Sequence, residues 1–165
     1  MRKKRLRGLQ GGDKGAYVVD TGVLIEYLDE SSPLARKVEA LFEDAIKGEV
    51  VLHTVSSVIA ELLYVAHRFY AMMKIPEPNR RAYEYLAWLQ HYVGLRVISL
   101  DDRLALEVGE LKKALRIALT DCAVIACARR INATPLFRRI EREMEPVLAE
   151  LKRLGVAFLE HINPL

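Results

Sequence analysis

The chain has 165 residues, 52% of them hydrophobic, two cysteines and a formal net charge of +3. That hydrophobic share excludes a disordered chain, and the length suits one domain with a real core. No apolar run reaches the roughly 18 residues of a membrane span, and the basic start lacks the apolar stretch of a signal peptide, so a cytoplasmic location is expected.

Five basic residues (Arg2, Lys3, Lys4, Arg5 and Arg7) open the chain, and the remainder is close to neutral. Residues 1–15 read as a flexible basic leader, and 16–165 as one domain. Ala16–Asp20 is a short apolar run of β-formers ending on a carboxylate, the pattern of a strand buried on both faces. Thr21–Asp29 then reads as a helix. Ser31 or Ser32 is the expected cap of the next, with Pro33 in its first turn and Gly48 as its stop. A second strand spans Glu49–Val55. Ser56 or Ser57 caps a long helix to about Lys74, apolar nearly all round through Ala66.

After Pro76 and Pro78, a helix over about Asn79–Tyr92 carries two adjoining apolar stripes, one of them aromatic. That width suits either a well-covered core helix or a homodimer surface. Leu95–Leu100 is a third strand, and Asp101 or Asp102 caps a helix to about Leu115. Thr120 is the expected cap of a helix over Asp121–Ile131. A short strand follows at Asn132–Phe137, placed by Pro135 at an edge or strand end. A helix over Arg139–Leu154 and a last strand over Val156–Leu159 complete the chain. Strands that alternate with helices predict an α/β fold, a central mainly parallel sheet with helices on both faces. Cys122 and Cys127, five apart among apolar residues, read as buried reduced thiols.

Three acids stand alone in apolar sequence. Asp20 ends the first strand, Glu61 lies inside Val58–Ala66, and Asp121 lies inside Ile117–Ala126. Each has a bland explanation as a cap or a helix-end charge. Glu61 resists it most, because an unpaired buried carboxylate costs several kcal/mol. Together they fit one site at the carboxyl edge of the sheet, where open α/β sheets place their ligands. Clustered carboxylates repel, and a divalent cation removes the conflict. Oxygen donors without His or Cys nearby suit Mg²⁺ or Mn²⁺, and the natural chemistry is phosphodiester hydrolysis.

Val18-Val19-Asp20-Thr21-Gly22-Val23-Leu24-Ile25-Glu26-Tyr27-Leu28, Val58-Ile59-Ala60-Glu61-Leu62-Leu63-Tyr64 and Leu119-Thr120-Asp121-Cys122-Ala123-Val124-Ile125-Ala126-Cys127-Ala128 together resemble the three main acidic motifs of PIN domains. The resemblance is to the VapC-like toxins of prokaryotic toxin–antitoxin pairs and spans roughly residues 16–144. It implies a Rossmann-like three-layer α/β/α sandwich and a Mg²⁺- or Mn²⁺-dependent endoribonuclease that hydrolyses RNA with a metal-activated water. A homodimer and a small antitoxin partner are implied as well. Asp20, Glu61 and Asp121 become metal-binding catalytic acids, with Thr21 beside the first.

The fourth acidic motif departs from the pattern: Arg139 falls where its first Asp would stand, leaving Glu141 as a longer-armed fourth ligand or an exposed helix residue. Arg138, Arg139 and Arg142 cluster there, as RNA phosphate holders or as partners of nearby glutamates. The substrate-binding expectation is Thr21, Arg138 and Arg139. Two other enzyme readings stand beside the toxin: a housekeeping RNA-processing nuclease, and a phosphatase with Asp20 as nucleophile, which Gly22 in place of a second Asp disfavours. The altered motif keeps a non-catalytic RNA- or protein-binding module as the alternative from another class.

Overall fold

A computed structural model describes residues 15–162, so the basic leader lies outside the described residues but for Gly15, which opens the first strand. Gly15–Val19 forms β1, Thr21–Glu26 α1, Ala35–Ile46 α2 and Val50–Val55 β2. Ser56–Met72 is α3, Pro78–Trp88 α4, Arg96–Ile98 β3, Asp102–Leu115 α5 and Leu119–Arg130 α6. Thr134–Phe137 is β4, Leu148–Arg153 α7 and Ala157–Phe158 β5.

The five strands are all parallel, in the order β3-β2-β1-β4-β5. Ala16 is level with Val51 of β2, and Val19 with Leu136 of β4. The sheet grows from β1 through β2 to β3, then the chain crosses back to place β4 on the other side of β1. Right-handed crossovers therefore put α1–α4 on one face and α5 and α6 on the other. Across the second face α6 lies against β1, β2 and β4, with α5 packed on it. Val18 and Val19 are fully buried, as a central strand covered on both faces requires. In α6, every residue from Cys122 to Ala128 is buried, so it is the best-covered helix.

Several local expectations changed. Ser31 and Ser32 do not cap α2: the Ser31 hydroxyl donates to Asp29 and that of Ser32 to Glu26, and the helix begins beyond Pro33. Neither Ser56 nor Ser57 caps α3, and Ser56 Oγ instead accepts from the Leu100 amide, 3.0 Å away. Asp101 does cap α5, accepting from the Leu104 amide at 2.7 Å.

Pro135 lies on an inner strand, not an edge. The Asp20 amide donates to the Leu136 carbonyl, so Leu136 faces β1 and Pro135 faces the β5 side. β5 begins only level with Leu136, so the missing N–H removes no ladder bond. The helix expected over 139–154 is broken. Residues 139–141 are irregular, 142–144 form a turn, Glu145–Val147 a 3₁₀ turn, and only Leu148–Arg153 is α-helical. Pro146 cannot donate the hydrogen bond a continuous helix needs there.

The wide apolar face of α4 is mainly core. Ala82, Tyr85, Leu86, Leu89 and Val93 are buried, while Tyr92 stands 63% exposed on a π-helical turn, Leu89–Val93. Tyr27, Tyr85 and Trp88 stack with centroids 4.9–6.4 Å apart, joining α4 to the end of α1. The Tyr85 hydroxyl donates to the Leu24 carbonyl at 2.5 Å. No helix among the described residues is long and apolar enough to cross a membrane.

Candidate metal centre

The reversal of strand order falls between β1 and β4, and the crevice outside their carboxyl ends is where an open α/β sheet offers a site. Asp20 leaves β1 there and Arg138 leaves β4. A cavity of about 300 Å³ opens at that point. Asp20, Thr21, Gly22, Glu61, Asp121, Arg138 and Glu141 all reach it.

Asp20 is the N-cap of α1, and its Oδ1 accepts from the Val23 amide at 2.9 Å. One carboxylate thus closes the helix start and faces the cavity. Glu61 lies in the second turn of α3 and is exposed, not buried as its apolar neighbours suggested. Its cost of burial is avoided by facing the open cleft, which overturns the solvation argument while leaving the residue at the site. The Thr21 hydroxyl donates to Glu61 Oε2 at 2.9 Å. Thr21 is itself buried. The structure therefore gives it a role in orienting Glu61 at the cavity that both residues line.

Asp121 sits in the first turn of α6. Thr120 does not cap that helix; its N-cap is Ala118. Glu143 reaches from the turns after β4 and accepts from the Ala118 amide at 2.6 Å. This tie brings the broken segment against the start of α6, and Glu141 with it. Carboxylate oxygens of Asp121, Glu141 and Glu143 lie within 4.8 Å of one another. Arg139 is not in this cleft. It lines a neighbouring groove with Asp29, Ser32, Phe69 and Met72, and Arg138 forms the wall between the two.

The electrostatics follow from burial and crowding. Burial pushes the Asp20 carboxyl up to about 7, helped by Glu141 and opposed by the Val23 and Gly22 amides and by Arg138. Asp121 rises to about 8, first through burial, then through repulsion from Asp20, Glu141, Glu143 and Glu61. No ion pair among the described residues neutralises Asp20, Glu61, Asp121 or Glu141. Arg138, the nearest guanidinium, pairs instead with Glu26 at 3.1 Å. Uncompensated oxygen donors around one cavity, two of them with raised proton affinity, are the chemistry a hard divalent cation fits.

Two residues of this region carried weak signals in the sequence. Glu143 looked like one more charge on a helix that does not form. Glu26 follows Val23 by three residues on the apolar side of α1, with no basic residue between Lys14 and Arg36 to pair with it. Cys122 and Cys127 are free and buried, and burial pushes both thiols up to about 11, so they are inert bystanders.

No curated protein sequence matches the chain. Solved structures do share its fold. VapBC2 from Rickettsia felis, bound to a DNA fragment from its promoter, superposes with a TM-score of 0.58 at 17% identity, over 87% of this chain and 96% of that one. Mycobacterium tuberculosis VapC20, a sarcin-ricin loop cleaving toxin, gives 0.58 at 14% identity, over 81% and 95%. FitAcB from Neisseria gonorrhoeae gives 0.57 at 19% identity, over 88% and 99%. At the level of sequence, the PIN domain family matches residues 17–139. That match runs from β1 through β4 and takes in Asp20, Glu61 and Asp121; the chain belongs to the PIN domain family.

Proposed function

We propose that the protein is a Mg²⁺- or Mn²⁺-dependent endoribonuclease of the PIN and VapC type. The observation that carries this reading is the meeting of Asp20, Glu61, Asp121 and Glu141 at one cavity, where no ion pair among the described residues neutralises them and Arg138 is paired with Glu26. Asp20 and Asp121 would hold the cation at the sheet edge, with Glu61 and Glu141 on the flanks. Bound there, a divalent cation supplies activation of water and stabilisation of charge developing on the phosphodiester.

The chain's own residues supply the rest. Asp20 is fixed by the Val23 amide and Glu61 by the Thr21 hydroxyl, so neither carboxylate must reorganise when the site fills. Asp121 and Asp20 hold protons near neutrality and give them up as the site loads, which makes cation affinity rise with pH. Arg138 at the cleft wall and Arg139 in the neighbouring groove would hold RNA phosphates. A small antitoxin protein as partner belongs to the same proposal, supported by the toxin–antitoxin complexes among the structural neighbours, and a homodimer is proposed with it. A cytoplasmic site of action fits that reading.

The direct experiment is cleavage of single-stranded RNA by purified protein with Mn²⁺, with EDTA, and with Asp20→Asn. Asn is as good an N-cap as Asp, so α1 keeps its start. Loss of outer-shell partners costs a metal site about 10- to 100-fold, so a ligand change should lower cleavage by at least ~100-fold. RNA bound but uncut by the wild type would identify a binding module instead. Cleavage that survives Asp20→Asn would show a contaminating nuclease.

A further inference from the structure

Arg138 presents a puzzle of placement. Its side chain lines the cleft together with four acids and acts on Asp20, yet its ion pair is with Glu26, which lies outside that cavity. Glu26 is 5% exposed, and its other oxygen accepts from the Ser32 hydroxyl. This acid is therefore anchored on both sides. Arg138 has one hydrogen bond from its side chain among the described residues, through Nη1. Nε, Nη2 and the second proton of Nη1 remain free, and the side chain is 30% exposed.

The route of the side chain is equally specific. Gly22 and Glu26 are four residues apart on α1 and so lie on one face. A Cβ at Gly22 would stand 3.0 Å from Asp20 Oδ2 and 3.2 Å from Arg138 Cβ, with Arg138 Nε at 3.7 Å. Arg138 thus crosses α1 over the one residue without a side chain, then meets Glu26 beyond it. An arginine fork held at one end by a buried carboxylate keeps its remaining donors in a fixed plane, which suits a phosphate oxygen pair. That plane lies at the wall shared by the acidic cleft and the groove of about 530 Å³ that contains Arg139.

We propose that Glu26 is a positioning residue for RNA binding. It draws Arg138 across Gly22, clear of Asp20, and holds the free donors at the junction of cleft and groove, where they take the phosphate flanking the one that is cleaved. This rests on the ribonuclease reading and adds to it a residue of the groove, itself only 5% exposed, that acts through Arg138.

The test separates positioning from simple charge. Removing a negative charge near an RNA site should tighten binding if only long-range electrostatics matters. Positioning demands the opposite sign. Binding of a fluorescein-labelled single-stranded 12-mer RNA would be measured by anisotropy in EDTA, where no cleavage occurs. Glu26→Gln, which keeps the side-chain shape and can still accept from Ser32, should weaken binding about 10-fold. In Mn²⁺ it should raise KM more than it lowers kcat. Arg138→Gln should weaken binding similarly and reduce the salt slope by about 0.7. The double variant should be no worse than Arg138→Gln alone, because Glu26 acts only through that arginine.

Gly22→Ala gives an independent check that leaves both charges in place, and should also weaken binding. Thermal melting would accompany each variant, and any that unfolds is set aside in favour of the remaining ones. Unchanged or tighter RNA binding by folded Glu26→Gln overturns the inference while leaving the ribonuclease intact. A wild type that neither binds nor cuts RNA overturns both.

Discussion

Burial raises the Asp20 carboxyl to about 7 and that of Asp121 to about 8, against 3.8 for either group in an unfolded chain. Between those values the folded state binds more protons than the unfolded one, so stability falls as pH rises. The penalty begins above about pH 4 and is complete above about pH 8. Melting temperature in EDTA should therefore decline from pH 5 to pH 8, by about 2–4 °C for each kcal/mol lost. Asp121→Asn, which cannot ionise, should show a flatter curve and melt above the wild type at pH 8. A wild-type curve that rises over this interval would show that the two acids are not crowded as described. Thr21 and Glu61 illustrate a different residue-scale rule: an exposed acid gains its place from one hydroxyl at 2.9 Å, not from burial.

Among the elements, β1 and its neighbours place the site, and a single side chain helps fix where β1 ends. Thr54 of β2 is fully buried, and its hydroxyl donates to the Val19 carbonyl at 2.9 Å, one residue before Asp20. Thr54→Val removes that donor with little change of volume. The expected loss is about 1 kcal/mol, rising toward 3 if the carbonyl is left unsatisfied, measured by urea denaturation. Stability unchanged within 0.3 kcal/mol, a bound of about the usual measurement scatter, would show that the carbonyl is satisfied elsewhere. The strand–helix alternation, a cap at Asp101 or Asp102 and the burial of Cys122 and Cys127 were all legible, because each depends on local periodicity or a cap within a few residues. The segment after β4 was not. Its charges imitate a helix with paired faces, and Pro146 interrupts it only after the turns that carry Glu141 and Glu143. Likewise Ser32 offered a helix cap and was taken by Glu26, a tertiary competitor six residues away.

At the scale of the whole molecule, the crowded carboxylates at the cavity are a cost to the fold that the proposed cation would relieve. Cation binding to the folded state alone stabilises it by mass action, about 2.7 kcal/mol at a hundredfold excess over Kd. Mn²⁺ added at pH 7.5 should thus raise the melting temperature, and Asp20→Asn should largely abolish the rise. An equal rise in both proteins would point to binding away from this cavity.

By itself the chain's sequence determined the order of strands and helices and set three acids apart in apolar surroundings, since periodicity and local charge act over a few residues. Only the tertiary structure decided that these acids converge. The crossover that places β4 beside β1 brings Arg138 and Glu141 to Asp20 and Asp121, residues far apart along the chain. The same folding decided which charge meets which: Arg138 is drawn to Glu26, and Glu143 to the start of α6. Pairings of this kind depend on distance in space and on burial, neither of which spacing along the polypeptide records.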